Sequence, residues 1–431
     1  MNQPQPSSGF NGLGIAPRLL DALDRLKFTV PTPIQQRSIP VGISGKDLIA
    51  IAQTGTGKTL AFGIPMLQRL EQVKGQGLII LPTRELAIQV DEAIQSIGRS
   101  MGLRTAVLIG GASMIFQRKN LERKPHIIIA TPGRLLDHME QRTVRLSDTK
   151  ILVLDEADRM LDMGFAPQIK KILAAVPRER QTMLFSATMP TTIVGIARQH
   201  MQLPIQVEIA RSGTVADKVT QEVYFLDSSA KPRLLELTLQ QALGPILVFT
   251  RTKHAAKKLT RLVKTMGHTS AEIHSNRSLA QRREALDGFK SGKYRVLIAT
   301  DIAARGIDVT GIELVVNFDL PTNAEDYVHR IGRTGRAGQS GRAISFATFD
   351  QRGDVRSIER LMRIALPVKR IPELPPARSM PHVEPDREER PRRFSGPRRG
   401  GAPFARGGSR GNARGGPSQG RPGGRNRGFR R

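Results

Sequence analysis

The 431-residue chain has no cysteine. Disulfides and thiolate metal sites are thereby excluded, which fits a reducing interior and makes the cytoplasm the expected compartment. No apolar run approaches the roughly 18 to 20 residues that span a bilayer. The opening MNQPQPSSGF also lacks the basic and then apolar segments of a secretory leader. A soluble, non-secreted protein with no membrane contact is expected. Acidic residues are scarce as well: 38 Asp and Glu stand against 67 Lys and Arg, a formal +29. Residues 390 to 431 contain 13 Arg, 12 Gly and no acid, so they supply +13 and leave +16 to the rest. Both portions are basic, and a polyanionic partner follows.

What is present divides into two cores and an appendage, since 431 residues with 39% hydrophobic content exceed one domain of ordinary size. The arginine- and glycine-rich end has too few apolar residues to offset the entropy of ordering. A mobile arm is expected there, exploring roughly 35 Å and holding nucleic acid near the body through Arg and through Phe394, Phe404 and Phe429. A merely solubilising linker is the plainer alternative.

Upstream, strand-length apolar runs (47–52, 77–81, 105–109, 126–130, 151–154 and 182–185) alternate with helical patterns at 58–70, 85–99 and 165–176. That alternation predicts a parallel sheet covered on both faces. After Leu203-Pro204 and a polar stretch the pattern restarts, with runs at 221–225, 246–249, 296–299, 314–318 and 343–347. The expected organisation is a first α/β domain over 1–207, a linker at 208–218, a second α/β domain over 219–365, and a linker with disordered tail over 366–431.

Residues 52 to 59, Ala-Gln-Thr-Gly-Thr-Gly-Lys-Thr, follow a strand-like run and open a helical one. A glycine-rich turn ending in Lys-Thr gathers backbone N–H donors around a polyphosphate. Ala52 stands where many such loops carry Gly, and an ordinary turn has the same look. Later in the chain, Ile151 to Leu154 delivers Asp155-Glu-Ala-Asp158, where a strand-end carboxylate suits magnesium; alone, it reads equally as a solvated loop. Together the two imply binding and hydrolysis of a nucleoside triphosphate. The second domain has no phosphate loop. Its candidates are Arg330, Arg333 and Arg336, three apart and so on one side of a helical turn if that stretch is helical, able to neutralise a transferring phosphoryl group once the domains close; a surface basic helix is the plainer alternative.

With Ala52 to Thr59, Asp155 to Asp158, Ser186-Ala-Thr188 and His329 to Arg336, the chain resembles the DEAD-box RNA helicases of superfamily 2 from about Phe10 to Ala347. The tail and Gly164-Phe165 are similar to the bacterial RhlE-like members. The resemblance implies two tandem RecA-like domains, ATP and Mg2+ as cofactors, and RNA as partner; ribosomal or degradation-complex proteins are the protein partners left open. Pro31 to Gln35 resembles the adenine-reading motif, with Gln35 on the base edge and Phe10 stacking on its face. Thr54, Gly55, Thr56 and Gly57 would cradle phosphates, with Lys58 on the β and γ groups. Thr59 and Asp155 would hold magnesium, directly or through water, and Glu156 would orient and deprotonate the attacking water. Arg333 and Arg336 would be the arginine fingers and Asp308 the ribose contact, while Asp158, Ser186, Thr188 and His329 would couple the ATP and RNA states.

RNA contacts are implied at Thr83, Arg84, Gly111, Thr131, Arg134, Arg251, Arg282 and Thr300, a set of backbone-reading loops without a base code. Two positions depart from the family pattern. Lys27 replaces a glycine before Phe28, with a small local effect expected, and Leu279 replaces the glutamine of Gln-x-x-Arg, leaving open one RNA or interdomain contact and whether Gln281 substitutes. The mechanism implied is local, non-processive duplex opening: ATP and RNA close the domains, the bound strand bends away from its partner, and hydrolysis reopens the cleft. An ATP-gated clamp or remodeller, a tail-driven annealer and, more distantly, a DNA translocase are the other readings.

Overall fold

The computed structural model describes residues 9–53, 55–209, 219–301, 309, 311–335 and 340–376. Thr54, Asp308, Arg336 and the tail lie outside the described residues. The first domain carries strands β1 (Leu48–Ile51), β2 (Gln76–Ile80), β3 (Thr105–Leu108), β4 (Ile127–Ala130), β5 (Thr149–Leu154), β6 (Gln181–Ser186) and β7 (Ile205–Glu208). They form one parallel sheet in the order β3-β4-β2-β5-β6-β1-β7. The second carries β8 (Val219–Phe225), β9 (Ile246–Phe249), β10 (Ser270–Ile273), β11 (Val296–Ala299), β12 (Leu314–Asn317) and β13 (Gly341–Ala347), parallel in the order β10-β11-β9-β12-β13-β8.

Unbroken apolar runs such as Ile-Ile-Ile-Ala at β4 are what a sheet buried on both faces demands, and side chains alternate between two cores with period two. On the first sheet, Leu48, Ile79, Ile127, Ile151 and Met183 face one cluster. Their neighbours Ile49, Leu78, Ile128, Leu152 and Leu184 face the other. The second sheet repeats the device, with Leu247 and Leu297 on one side and Val248 and Ile298 on the other.

Helices close both faces. Helix α1 (Pro17–Arg25) precedes α2 (Pro33–Ile43), and α3 (Lys58–Gln72) runs back under the first sheet, where Phe62 meets Phe185 edge-on at 5.3 Å. Helix α4 (Arg84–Gly98) starts at an N-cap, Thr83, whose hydroxyl accepts from the Leu86 N–H at 3.3 Å. Lys27, where the family pattern has glycine, has φ +60°. A side chain in this left-handed region costs roughly 1–2 kcal/mol, which accounts for the usual glycine.

Two strands go beyond the sequence expectation. Strand β7 follows Leu203-Pro204, a sequence that reads as a boundary, and pairs with β1. Edge strand β10, Ser-Ala-Glu-Ile, is only half apolar and gains its order by pairing with β11. No helix among the described residues is long and apolar enough to cross a membrane.

Candidate active site

In a parallel sheet the loops after the strands gather at one edge, and the crevice there is where ligands bind. Strands β5, β6 and β1 are adjacent in that order, so the segments after Leu154, Ser186 and Ile51 emerge side by side. Gly55 and Gly57 have φ +84° and +85°, conformations that only glycine adopts cheaply, and Gly57 delivers the chain into α3 at Lys58. Thr56 donates its hydroxyl to the Gln53 carbonyl at 2.8 Å. Gln35 braces the turn, donating Nε2–H to the Gly57 carbonyl at 3.0 Å while its Oε1 accepts from the Thr32 N–H at 2.8 Å. A Cβ at Gly57 would lie 2.4 Å from Gln35 Nε2, so this glycine is required for the approach. Phe10 is 5% exposed and packs against the first-domain core.

Lys58 is buried, with Nζ 4.0 Å from Asp155 Oδ1 and no hydrogen-bond acceptor for Nζ among the described residues. Asp155 accepts from the Glu156 N–H at 2.9 Å. Burial pushes its carboxyl up to about 6 against the pull of Lys58, with Glu156 and Asp158 adding to the rise. Glu156 is also buried and has φ +51° at the start of helix α5 (Ala157–Asp162). Burial pushes this carboxyl up too, but Arg159, Lys58 and Arg333 outweigh it and hold it down at about 2. The buried Arg159 donates Nη1–H to Glu156 Oε2. A buried ammonium without its hydrogen bonds, beside a desolvated carboxylate, is the pairing that a polyphosphate with its divalent cation would satisfy.

The coupling residues meet at Asp158. Its Oδ2 accepts from Ala187 N–H at 3.0 Å, Thr188 N–H at 2.8 Å and Thr188 Oγ1–H at 2.9 Å, and its own N–H donates to Ser186 Oγ at 3.2 Å. Across the cleft stands α6 (Ala324–Ile331), and His329 on it feels the charges of Arg159, Asp158, Arg333 and Glu156. Burial is the main cause of its fall to about 4, with the two arginines next, so the ring is neutral at ordinary pH.

Arg330 and Arg333 do not share one helix, and Arg336 lies outside the described residues. Helix α6 ends at Ile331, so Arg333 lies beyond it. Arg330 is a core residue: it donates Nε–H and Nη2–H to Asp301 at 2.5 and 2.7 Å and stacks 4.9 Å from the Phe249 ring centre. Arg333, 4% exposed, donates Nε–H to the His329 carbonyl at 3.2 Å and carries its charge toward Glu156 of the other domain.

Thr83, Gly111 and Thr131 follow strands of the first sheet, and Arg251 and Thr300 follow strands of the second. The Arg84 guanidinium lies over Gly110 and Gly111, where a Cβ would come within 3.1 and 2.4 Å of it. Thr131 precedes helix α7 (Pro132–Glu140), and Arg134 donates to the Ala112 carbonyl at 3.0 Å. Arg251 donates its N–H to Asp319 at 3.0 Å, and Thr300 follows β11. Arg282 is different. It is 6% exposed, on helix α8 (Leu279–Lys290), and its Nη2 lies 2.9 Å from the buried Glu85 Oε2 of the first domain. Burial removes it from the RNA-facing set and makes it an interdomain ion pair. Gln281 does not substitute for the missing glutamine, because its side chain accepts from the Ser278 N–H in a capping box. Leu279 instead packs against the hydrophobic cluster of the first domain.

Arg159 and the pairing role of Glu85 are functional features that the motifs do not announce. Arg159 lies one turn beyond Glu156, a spacing that places both on one helix face. Glu85 follows Arg84 in the first turn of α4, and its partner is nearly two hundred residues away, beyond the reach of a local pattern.

Two parallel sheets, a phosphate loop and acidic strand end in one, and Arg333 of the other set electrostatically against Glu156 define a two-domain RecA-like ATPase. Residues 32–195 match the DEAD/DEAH box helicase family, and residues 230–338 match the helicase conserved C-terminal domain. The chain is 44% identical over 343 residues to the ATP-dependent rRNA helicase RRP3 of Debaryomyces hansenii, covering 79% of this chain and 72% of that one. Among solved structures it resembles S. cerevisiae Dbp5 bound to RNA and ADP BeF3 (32% identity, TM-score 0.76, 84% of this chain and 96% of that chain). It also resembles Mss116p bound to ssRNA and AMP-PNP (26% identity, TM-score 0.77, 86% and 82%). The chain belongs to the DEAD-box RNA helicase family and is an ATP-dependent RNA helicase.

Proposed function

We propose that the enzyme opens short RNA duplexes locally and without processive travel, with domain closure doing the prying and hydrolysis resetting the cleft. The observation that carries this reading is the interdomain contact set: Glu85 with Arg282, Leu279 on the first-domain core, and Arg333 toward Glu156. These contacts exist only when the lobes are together, and closure draws its energy from such differential contacts. Residues 1–207 would bind and cleave the nucleotide and 208–218 connect. Residues 219–365 would supply the arginines, and 366–431 would assist RNA capture.

In this reading Gln35 reads adenine, the 54–59 loop holds the phosphates and Lys58 satisfies its ammonium on the β and γ groups. Asp155 and Thr59 would hold magnesium, which keeps most of its waters and needs few protein ligands. The cation supplies charge neutralisation on the phosphate oxygens. Glu156, fixed by Arg159, orients the water and takes its proton, and Arg333, with Arg336, faces the developing charge. Asp308 would contact the ribose. Asp158, Ser186, Thr188 and His329 would transmit the nucleotide state to the loops at Thr83, Arg84, Gly111, Thr131, Arg134, Arg251 and Thr300. The cytoplasm is the proposed site of action. The RhlE-like placement rests on the tail and on Gly164-Phe165, whereas the RRP3 relatives favour structured ribosomal RNA as substrate.

The test is ATP turnover with single-stranded RNA or DNA of equal length. Stimulation by RNA alone is expected, and equal stimulation by DNA would refute the assignment. A second test concerns the Glu85–Arg282 pair. Arg282→Ala leaves a buried carboxylate unpaired in the closed state, a loss of about 3–5 kcal/mol. Binding of RNA in the presence of a non-hydrolysable ATP analogue should weaken by roughly 10² or more, with part of the loss recovered in the Glu85→Ala/Arg282→Ala double variant.

A further inference from the structure

The opposite edge of the first sheet, where its strands begin, is lined with cations. Strands β3, β4, β2 and β5 are neighbours in that order. Arg104 immediately precedes β3, Arg123 and Lys124 precede β4, Lys74 precedes β2, and Arg145 and Lys150 flank the start of β5; all six are exposed. At a strand spacing of roughly 4.8 Å the row is about 15 Å long.

Two adjoining clefts, which share Pro125, run along it, with volumes of about 370 and 730 Å³. Among the described residues, Asp148 is the one carboxylate lining either cleft, and none of the six cations has a carboxylate partner. A folded surface that keeps six like charges together with a single carboxylate among them is destabilised by self-repulsion, so the arrangement points to an external anion.

We propose that this edge is a second RNA-binding surface, which takes the phosphate backbone of a segment outside the interdomain groove. The motif loops leave the other ends of the same strands. Four to six residues at about 3.3 Å each put the two edges roughly 13–20 Å apart with the sheet between them, so a strand held along the groove must extend beyond it and turn around the domain to reach the second surface. The chemistry favours nucleic acid over protein. No exposed large apolar side chain lines either cleft, whereas protein interfaces are anchored by buried aromatic and apolar groups. With no Phe, Tyr or Trp lining either cleft for a base to stack on, the surface reads phosphates and not sequence. It would hold the flank of a structured RNA while the groove works on one strand.

The proposal goes beyond the closure mechanism, and its test separates the two. In the full chain, Arg104→Glu, Lys124→Glu, Arg145→Glu and Lys150→Glu are combined, with the four corresponding Gln changes as a milder variant and thermal melting as the check on folding. Binding of a strand of about ten nucleotides with an ATP analogue, and the ATP turnover it stimulates, should stay within about twofold, because such a strand fills only the groove. Affinity for a strand of about forty nucleotides should fall roughly tenfold, and its slope of log K against log salt should shrink by about 3, from about 0.7 per lost phosphate contact. An unchanged slope with the long strand would overturn the proposal. So would an equal loss with the short one, or displacement of an acidic peptide but not RNA by the substitutions.

Discussion

Glu156→Gln is expected to lower RNA-stimulated ATP turnover by about 10²- to 10⁴-fold, the usual contribution of a general base, while nucleotide affinity stays within a few-fold. Glutamine keeps the shape and can still accept from Arg159, so the geometry of the loop survives and only proton acceptance is lost. With its carboxylate held near 2 by Arg159, Lys58 and Arg333, Glu156 is ionised at every working pH but weakly basic. A bound triphosphate would draw Lys58 and Arg333 to itself and restore basicity when it is needed, leaving Arg159 to fix the orientation. Phosphate release with saturating RNA and titration of a fluorescent nucleotide separate the two quantities. Turnover at the wild-type rate would remove Glu156 from the chemistry.

Arg333→Ala should reduce the single-turnover hydrolysis rate of the RNA-bound enzyme by about 10³- to 10⁵-fold, the range for an arginine that stabilises a transferring phosphoryl group. Lysine should rescue little, because it cannot reproduce the planar fork. The residue is buried, bonded to the His329 carbonyl and electrostatically linked to Glu156 across the cleft, so its charge reaches the site only from the second domain. The same variant in the absence of RNA should differ little from wild type, since the open enzyme does not use the contact. A comparable loss in both states would mean that Arg333 supports the fold and not the reaction.

The fold was largely legible because a parallel sheet buried on both faces writes itself as apolar runs, and eleven such stretches mark strands of the structure. Strands β7 and β10 escaped for opposite reasons. The first follows a proline and the second mixes Ser and Glu with Ala and Ile, so both take their conformation from a neighbouring strand. In the site, residues on contiguous segments were legible: Gly55, Gly57 and Lys58 on one loop, Asp155 to Asp158 on another. Pairings made by tertiary structure were not. Glu85 with Arg282 and Leu279 against the first-domain core join positions far apart in the chain, and no local periodicity records them. Arg330 shows the converse error of spacing, since Asp301, Asn317 and Phe249, brought in by other strands, claim it for the interior.

The brace between Gln35 and Gly57 fixes more than a turn. With Nε2 committed to the Gly57 carbonyl and Oε1 to the Thr32 N–H, the amide cannot rotate half a revolution without losing both bonds. It therefore offers an incoming base one hydrogen and one lone pair in a set order, which suits the N6 and N7 of adenine and opposes the O6 and N7 of guanine. A guanine nucleotide forcing the flip would tug on the very peptide that shapes the loop. The enzyme's preference between purines would then surface as slower cleavage more than as weaker uptake.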